Sequence, residues 1–382
     1  MILNEFQKTL DNLALSSNLR YLPIAINEGK YVKLNDKIML NLTSNDYLGL
    51  GGNVELRKDF IKSFDLEKNG FTSSSSRLLS GKFEIYDELE SLLCALYHTE
   101  TALVFNSGYH ANIGILPAIA DKQTLIIADK LVHASIIDGI LLSRCQFLRY
   151  NHNNYDHLLN IIESNYKEYD KIIIVSESIF SMDGDRADLT KIIEIKHKYP
   201  NILLYLDEAH AVGVFGKNGL GLAEEYNCLS EIDLIVGTFG KAIASVGAFV
   251  VCKKLIRDLL INKMRSFIFS TALPPINIAW TFYVMSNLKK YSDRRNKLQN
   301  ISNYFCRELN IKGFKNNSKS QIIPIILKDN NITLEKSEEL LRNNIYVLAV
   351  RPPTVPVGTS RLRFSLNSNI TIEDINKILK FF

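Results

Sequence analysis

Between residues 102 and 252 the chain repeats one pattern: a short apolar run that breaks off at a cluster of polar, ionisable residues. Ala102–Phe105 runs into Asn106-Ser-Gly-Tyr-His110, and Leu125–Ala128 into Asp129-Lys-Leu-Val-His133. Lys171–Val175 runs into Ser176-Glu-Ser-Ile-Phe-Ser181-Met-Asp183, and Ile202–Leu206 into Asp207-Glu-Ala-His210. Leu234–Val236 leads into Gly237-Thr-Phe-Gly-Lys241, and Gly247–Cys252 supplies a further run. Runs this short, bounded by turn formers, read as strands. Strands that alternate with helical stretches build a mostly parallel sheet covered on both faces. Ligands of such sheets sit beyond the carboxyl ends of the strands. The polar loops are therefore expected to face one crevice.

Lys241 is the residue there that packing explains least. It follows an apolar run and stands between small residues, where a strongly hydrated ammonium gains nothing from burial. Taken alone it reads equally as a solvated loop lysine. A phosphate-binding loop, which Gly240-Lys241 suggests, needs glycine at the position of Ile235 and Ser or Thr at that of Ala242, so that reading fails. Asp207 adds the second half of a different chemistry. An amine and a carboxylate brought to one crevice by separate strands suit pyridoxal phosphate. The amine forms a Schiff base with its aldehyde, and the carboxylate keeps its ring nitrogen protonated. The other loops offer the remaining contacts. Ser107-Gly108-Tyr109 ends a strand and opens a helix whose free N–H groups can bind phosphate, although a plain turn has the same pattern. His133 is placed to stack on the ring unless it is an ordinary structural histidine. His210 is placed to reach the phenolic oxygen and Thr238 the phosphate. His98, His152, His157 and His197 lie in polar stretches and read as surface residues.

Several other functions lose support. Asp207, Glu208 and His210 have no second His/Cys cluster at ligand spacing, so no metal is expected. No Gly-x-Gly-x-x-Gly follows the first strand, which argues against a dinucleotide. With 45 basic and 41 acidic residues the net charge is only +4, too balanced to imply nucleic acid. The basic run Lys289–Lys297 reads as a solvated helix face or a contact for a coenzyme A phosphate. The five cysteines are scattered without close pairs, and residues 1–8 lack a signal pattern, so a reducing, cytoplasmic setting is expected. The most apolar window, Ala242–Cys252, falls well short of the about 20 residues of a membrane span.

Residues 1–42 read as a helix and an extended arm, with a turn at Asn35-Asp36 between strand-like runs. A large domain follows over 43–280, and a smaller one over 281–382. Within the first, a helix should begin near Glu84, with Ile85, Leu89, Leu92, Leu93 and Leu96 on one face. Within the second, Gly313–Lys315, Gln321–Leu327 and Leu362–Leu366 read as strands.

Taken in order, these segments resemble the α-oxoamine synthases, a branch of the fold-type-I, aspartate-aminotransferase-like pyridoxal phosphate enzymes, along nearly the whole chain. The motifs are Ser44-Asn-Asp-Tyr-Leu-Gly-Leu, Asn106-Ser-Gly-Tyr, His133-Ala-Ser, Ser181-Met-Asp-Gly-Asp and Leu206-Asp-Glu-Ala-His. Gly237-Thr-Phe-Gly-Lys, Phe269-Ser-Thr-Ala-Leu-Pro-Pro and Arg351-Pro-Pro-Thr-Val-Pro complete the set. The resemblance implies an α/β transferase fold, with a mostly parallel seven-stranded sheet in the large domain and a small α+β C-terminal domain. It implies that Lys241 carries the cofactor, that Asp207 pairs with the ring nitrogen and His210 with the phenolic oxygen, and that His133 stacks on the ring. Gly108, Tyr109, Ser181 and Thr238 would complete the cofactor shell. Ser270 and Thr271 would reach the phosphate of a neighbouring subunit, which implies a homodimer. Arg363 would bind the amino-acid carboxylate, and Arg20, Asn45 and Thr354 would line the substrate cleft.

Within the family the likeness is greatest to the biotin-pathway member, an acyltransferase that condenses L-alanine with pimeloyl-CoA or a pimeloyl carrier protein and releases CO2. A glycine C-acetyltransferase or another member is the alternative. One departure stands out. Thr72-Ser-Ser-Ser-Ser-Arg77 replaces a glycine-rich loop, and serine does not permit the close backbone approach of glycine, so the acyl pocket is expected to differ in shape. His110 is also unusual beside a cofactor.

Overall fold

The structure, a computed structural model, describes residues 2–34 and 36–382. Asn35, half of the expected turn, lies outside the described residues, as does Met1. The chain forms two compact units. One holds residues 46–181 and 185–297, and the other holds residues up to 45, 182–184 and 298–382.

The larger unit is built on a seven-stranded sheet. Its strands, β1 to β7 in chain order, are Thr101–Phe105, Thr124–Asp129, Gln146–Tyr150, Lys171–Glu177, Ile202–Asp207, Leu234–Thr238 and Ala248–Cys252. The spatial order is β1-β7-β6-β5-β4-β2-β3. Strand β7 runs antiparallel to both of its neighbours, and every other pairing is parallel. This is the expected α/β sheet. The runs Leu125–Ala128 and Ile172–Val175 are buried throughout, as central parallel strands covered on both faces must be. Strand β3 carries no strand pattern in the sequence because it is an edge strand. Its first four residues are exposed, so it lacks a buried apolar run.

Helix Glu84–Tyr97 starts where its periodicity places it and buries Ile85, Leu89 and Leu93, while Leu92 and Leu96 are half-buried. It stops at His98, which adopts a left-handed conformation with φ 52°. Two further helices, Gly108–Ile119 and Ala134–Ser143, pack in close contact at Gly139. A Cβ at Gly139 would lie 2.2 Å from the Asn112 carbonyl oxygen, so only glycine lets the helices approach this far.

The smaller unit begins with helix Ile2–Leu15 and contains two sheets. Ala25–Glu28, Tyr31–Leu34 and Lys37–Asn41 form an antiparallel meander, to which Ile345–Tyr346 adds in parallel. Val32, Leu34 and Met39 pack against Tyr346 as its core. The second sheet joins Ile322–Lys328, Ser360–Ser365 and Ala349–Val350. Gly313–Lys315 is not one of its strands. Gly313, at φ 89°, ends the long helix Ser292–Ile311, and the Phe314 N–H donates back to the Leu309 carbonyl. The glycine read as a strand start is thus a helix C-cap, and the third strand comes from Ala349–Val350 instead. No helix among the described residues is long and apolar enough to cross a membrane.

Candidate active site

The parallel strands deliver the site at their carboxyl ends. Strands β4, β5 and β6 finish on Glu177, Asp207 and Thr238, and the sheet register sets Glu177 beside Asp207. These side chains line a cavity of about 200 Å³ together with Lys241, His210 and His133. Gly108 and Tyr109 close it at the start of helix Gly108–Ile119.

Lys241 Nζ lies 3.0 Å from His210 Nε2, and His210 Nδ1 lies 2.6 Å from the Tyr47 hydroxyl. An ammonium can only donate, which makes Nε2 the acceptor and leaves the ring proton on Nδ1, facing Tyr47. Asp207 is 5% exposed. Its Oδ2 accepts from Asn112 Nδ2 at 2.9 Å and its Oδ1 from the Ala209 N–H at 2.8 Å. His133 caps helix Ala134–Ser143, and its own backbone N–H donates to Glu177 Oε1. Burial holds the His133 imidazole below its usual pKa, and the Lys241 charge acts in the same direction against that of Asp207. Burial, then the charge of Asp207, pushes the Glu177 carboxyl well above the ordinary range.

At the helix end, the Ser107 hydroxyl accepts from the His110 N–H and lies 2.8 Å from His110 Nδ1, so this imidazole folds back onto the cap. Tyr109 is half exposed and donates its hydroxyl to Asp138. The Thr238 hydroxyl donates to the Gly247 carbonyl at 3.0 Å and accepts from the Gly240 N–H at 3.2 Å, bracing the loop that carries Lys241. Ser181 lies further along the loop after β4, outside the cavity lining. Ser270 and Thr271 are also outside it. Thr271 pairs with Ser76 of the serine-rich loop and accepts from Asn106 Nδ2 through its carbonyl. Arg20, Asn45, Thr354 and Arg363 belong to the smaller unit. There Arg20 Nη2 donates to Thr354 Oγ1 at 3.3 Å, the Ser365 hydroxyl donates to Asn45 Oδ1 at 3.4 Å, and Arg363 sits opposite Pro324 in the sheet.

The cavity has further members. Asn112, Ser135 and Glu177 line it, and fully buried Tyr47 reaches His210. Glu177 and Tyr47 sit inside motifs already singled out, which is the signal that was available for them.

His152 is not a surface residue. Its Nδ1 lies 2.9 Å from Asp129 and its Nε2 2.7 Å from Asp185. Burial lowers its pKa, but the hydrogen bonds to both carboxylates outweigh this and raise it to about 10. A raised folded-state value means that the pair stabilises fully below the unfolded pKa of about 6.5 and is lost as pH rises through about 10. His152→Gln should therefore destabilise the fold near neutral pH, with the deficit closing toward pH 10. Urea denaturation at the two pH values measures this, and a deficit that does not change with pH contradicts it.

The donor set fits pyridoxal phosphate. An amine for the aldehyde stands near a buried carboxylate suited to a pyridinium nitrogen, and the open end of a helix faces the same cavity. At Gly108 an added Cβ would come no nearer than 3.9 Å to Thr238, so the helix start has room in front of it. No group of three or more His, Cys, Asp or Glu among the described residues is arranged to hold a metal.

Comparison with known proteins agrees with this chemistry. The family model for class I and II aminotransferases matches residues 37–382. A Pasteurella multocida protein provisionally assigned as an 8-amino-7-oxononanoate synthase is 50% identical over 375 residues, covering 98% of this chain and 97% of that protein. A Neisseria meningitidis serogroup A protein with the same provisional assignment is 50% identical over 372 residues, covering 97% and 98%. Among solved structures, a serine palmitoyltransferase of S. paucimobilis with bound PLP superposes with a TM-score of 0.91 at 29% identity, covering 99% of this chain and 96% of that one. The 8-amino-7-oxononanoate synthase of Francisella tularensis gives a TM-score of 0.78 at 32% identity, covering 90% and 96%.

Proposed function

Because the chain belongs to the class I and II aminotransferase family, as an α-oxoamine synthase that uses pyridoxal phosphate, we propose that it condenses L-alanine with a pimeloyl thioester, releasing CO2 and the thiol carrier. The product is 8-amino-7-oxononanoate, a step of biotin synthesis. The observation that carries this reading is the meeting of Lys241 and Asp207 in one cavity of a chain half identical to relatives with that assignment.

Bound pyridoxal phosphate supplies an aldehyde for an amine and a ring that accepts electrons from the adjoining carbon. The chain supplies the acid–base groups. Lys241 holds the cofactor between turnovers, and its freed Nζ takes the proton from the α carbon of the amino acid. His210, hydrogen-bonded to Nζ, orients that amine. Asp207 stabilises positive charge at the ring nitrogen from a fixed, nearly dry position. His133 stacks on the ring and donates a proton to the thioester carbonyl oxygen as the α carbon attacks, and takes it back for the thiol carrier as the carbonyl re-forms. Gly108, Tyr109, Ser181 and Thr238 complete the cofactor shell. Arg363 binds the amino-acid carboxylate, with Arg20, Asn45 and Thr354 on the substrates. The family resemblance supports these assignments, as it does a cytoplasmic homodimer in which Ser270 and Thr271 serve the neighbour's phosphate.

The test is a matrix of L-alanine, glycine and L-serine against pimeloyl, acetyl and palmitoyl thioesters, read by thiol release and product mass. Alanine with a pimeloyl thioester should give the highest kcat/KM. Preference for glycine with acetyl-CoA would assign the chain to the alternative member of the family.

A further inference from the structure

The geometry points to Asn112 as a positioning residue that locks Asp207 in place and, through Ser135, sets the tautomer of His133. The inference rests on the reading of Asp207 as the partner of the ring nitrogen.

Tyr205 and Asp207 are two apart on β5, so they leave the sheet on the same face. Helix Gly108–Ile119 covers that face and brings Asn112 between them. All four members of the network are buried: Asn112 is 2% exposed, Tyr205 0%, Ser135 1% and Asp207 5%. Asn112 Oδ1 receives the Tyr205 hydroxyl at 2.5 Å, while Nδ2 donates to Asp207 Oδ2 at 2.9 Å and to Ser135 Oγ at 3.0 Å. The orientation of the amide follows from its neighbours. An ionised carboxylate only accepts, so the NH2 group must face Asp207, and both of its hydrogens are then used. The Ser135 oxygen accepts one of them, so its own proton is directed to His133 Nδ1, 2.7 Å away. Nδ1 also accepts the Ser135 backbone N–H at 3.2 Å, which leaves the imidazole proton on Nε2.

The choice of asparagine has an electrostatic reason. Asp207 is held by two neutral donors, the Asn112 amide and the Ala209 N–H. They fix the carboxylate without cancelling its charge, which stays available to a cation in the cavity; a lysine or arginine at position 112 would cancel it. A satisfied buried network of this kind holds one geometry, because leaving any member unpaired is costly. Gly139 is what lets helix Ala134–Ser143, and with it Ser135, come close enough to Asn112 to close the chain.

Three variants test this. Asp207→Asn serves as the reference, Asn112→Leu removes the three hydrogen bonds of the amide while keeping the number of side-chain heavy atoms, and Tyr205→Phe removes only the hydroxyl that anchors the amide. For each, the affinity of the cofactor-free protein for pyridoxal phosphate is titrated, the visible spectrum of the reconstituted protein is recorded, and kcat and KM for the amino acid are measured. Asn112→Leu should weaken cofactor binding about tenfold, the scale of one hydrogen bond to a charged group. It should also move the spectrum toward that of Asp207→Asn and lower kcat more than it changes KM. Tyr205→Phe should act in the same direction, less strongly. A parental spectrum and affinity in a folded Asn112→Leu, or in Tyr205→Phe if the leucine variant does not fold, overturns the inference while Asp207→Asn still shifts. If Asp207→Asn itself leaves the spectrum unchanged, the reading of Asp207 fails and the inference with it.

Discussion

Lys241→Ala should give a protein that folds normally, does not hold pyridoxal phosphate covalently and has lost turnover by about 10³-fold or more, because the same amine serves as covalent anchor and as proton acceptor. The substitution is expected to be structurally mild. Lys241 sits in a loop whose course is set by other groups: the Thr238 hydroxyl bridging Gly240 and Gly247, and the backbone bonds from Phe239 to Gly247 and from Ser245 to Phe239. Trp280 also donates to the carbonyl of Ala244, which adopts a left-handed conformation at φ 52°. None of these needs the ammonium. His210 loses one partner and keeps Tyr47. A thermal midpoint near the parent's with no covalent cofactor is the expected pair of results. A variant that condenses substrates at the parental rate would remove Lys241 from the mechanism.

Asp207→Asn is the second large effect. The change is isosteric, but it removes the negative charge at the end of β5. Without that charge a protonated ring nitrogen is no longer stabilised from a buried site, so electron withdrawal at the reacting carbon weakens. A fall in kcat of about 10²-fold or more is expected, comparable to the loss of one preorganised electrostatic contact. Binding of the amino acid should change less than kcat, because the lost interaction matters most when charge develops. Lower pH should recover part of the loss by favouring protonation of the ring from solvent, and this separates an electrostatic role from a packing role. A variant with parental kcat at neutral pH would show that the carboxylate is not the partner of the ring.

The groups that carry these two predictions were legible in the chain because they break a rule of packing. Asp207, His210 and Lys241 follow apolar runs where the core gains nothing from ionisable side chains. Asn112 was not legible. It lies between Ala111 and Ile113 in an apolar helix, and nothing local marks it; its importance arises from Tyr205 and Asp207 on a strand far along the chain and from the contact at Gly139. The role of His152 was not legible for a related reason, since its partners Asp129 and Asp185 are distant in sequence. The edge strand Gln146–Tyr150 and the C-cap at Gly313 show the limits of pattern on the fold itself. An exposed strand has no apolar run, and a glycine before an aromatic residue looks alike whether it starts a strand or ends a helix. The serine-rich loop is anchored by the Ser73 hydroxyl, which donates to the Leu273 carbonyl, and by the Ser75 carbonyl, which accepts from the Ala272 N–H; the substrate matrix reads its effect on acyl choice.

One lysine, Lys241, just past the end of β6 in the cavity that Asp207 also lines, is expected to carry the cofactor. Borohydride reduction of the cofactor-loaded protein, followed by peptide mapping with mass spectrometry, tests it most directly. The phosphopyridoxyl group should appear on the peptide containing Lys241 and on no other. A reduced adduct on a different lysine, or no adduct in a protein that turns over, would contradict it.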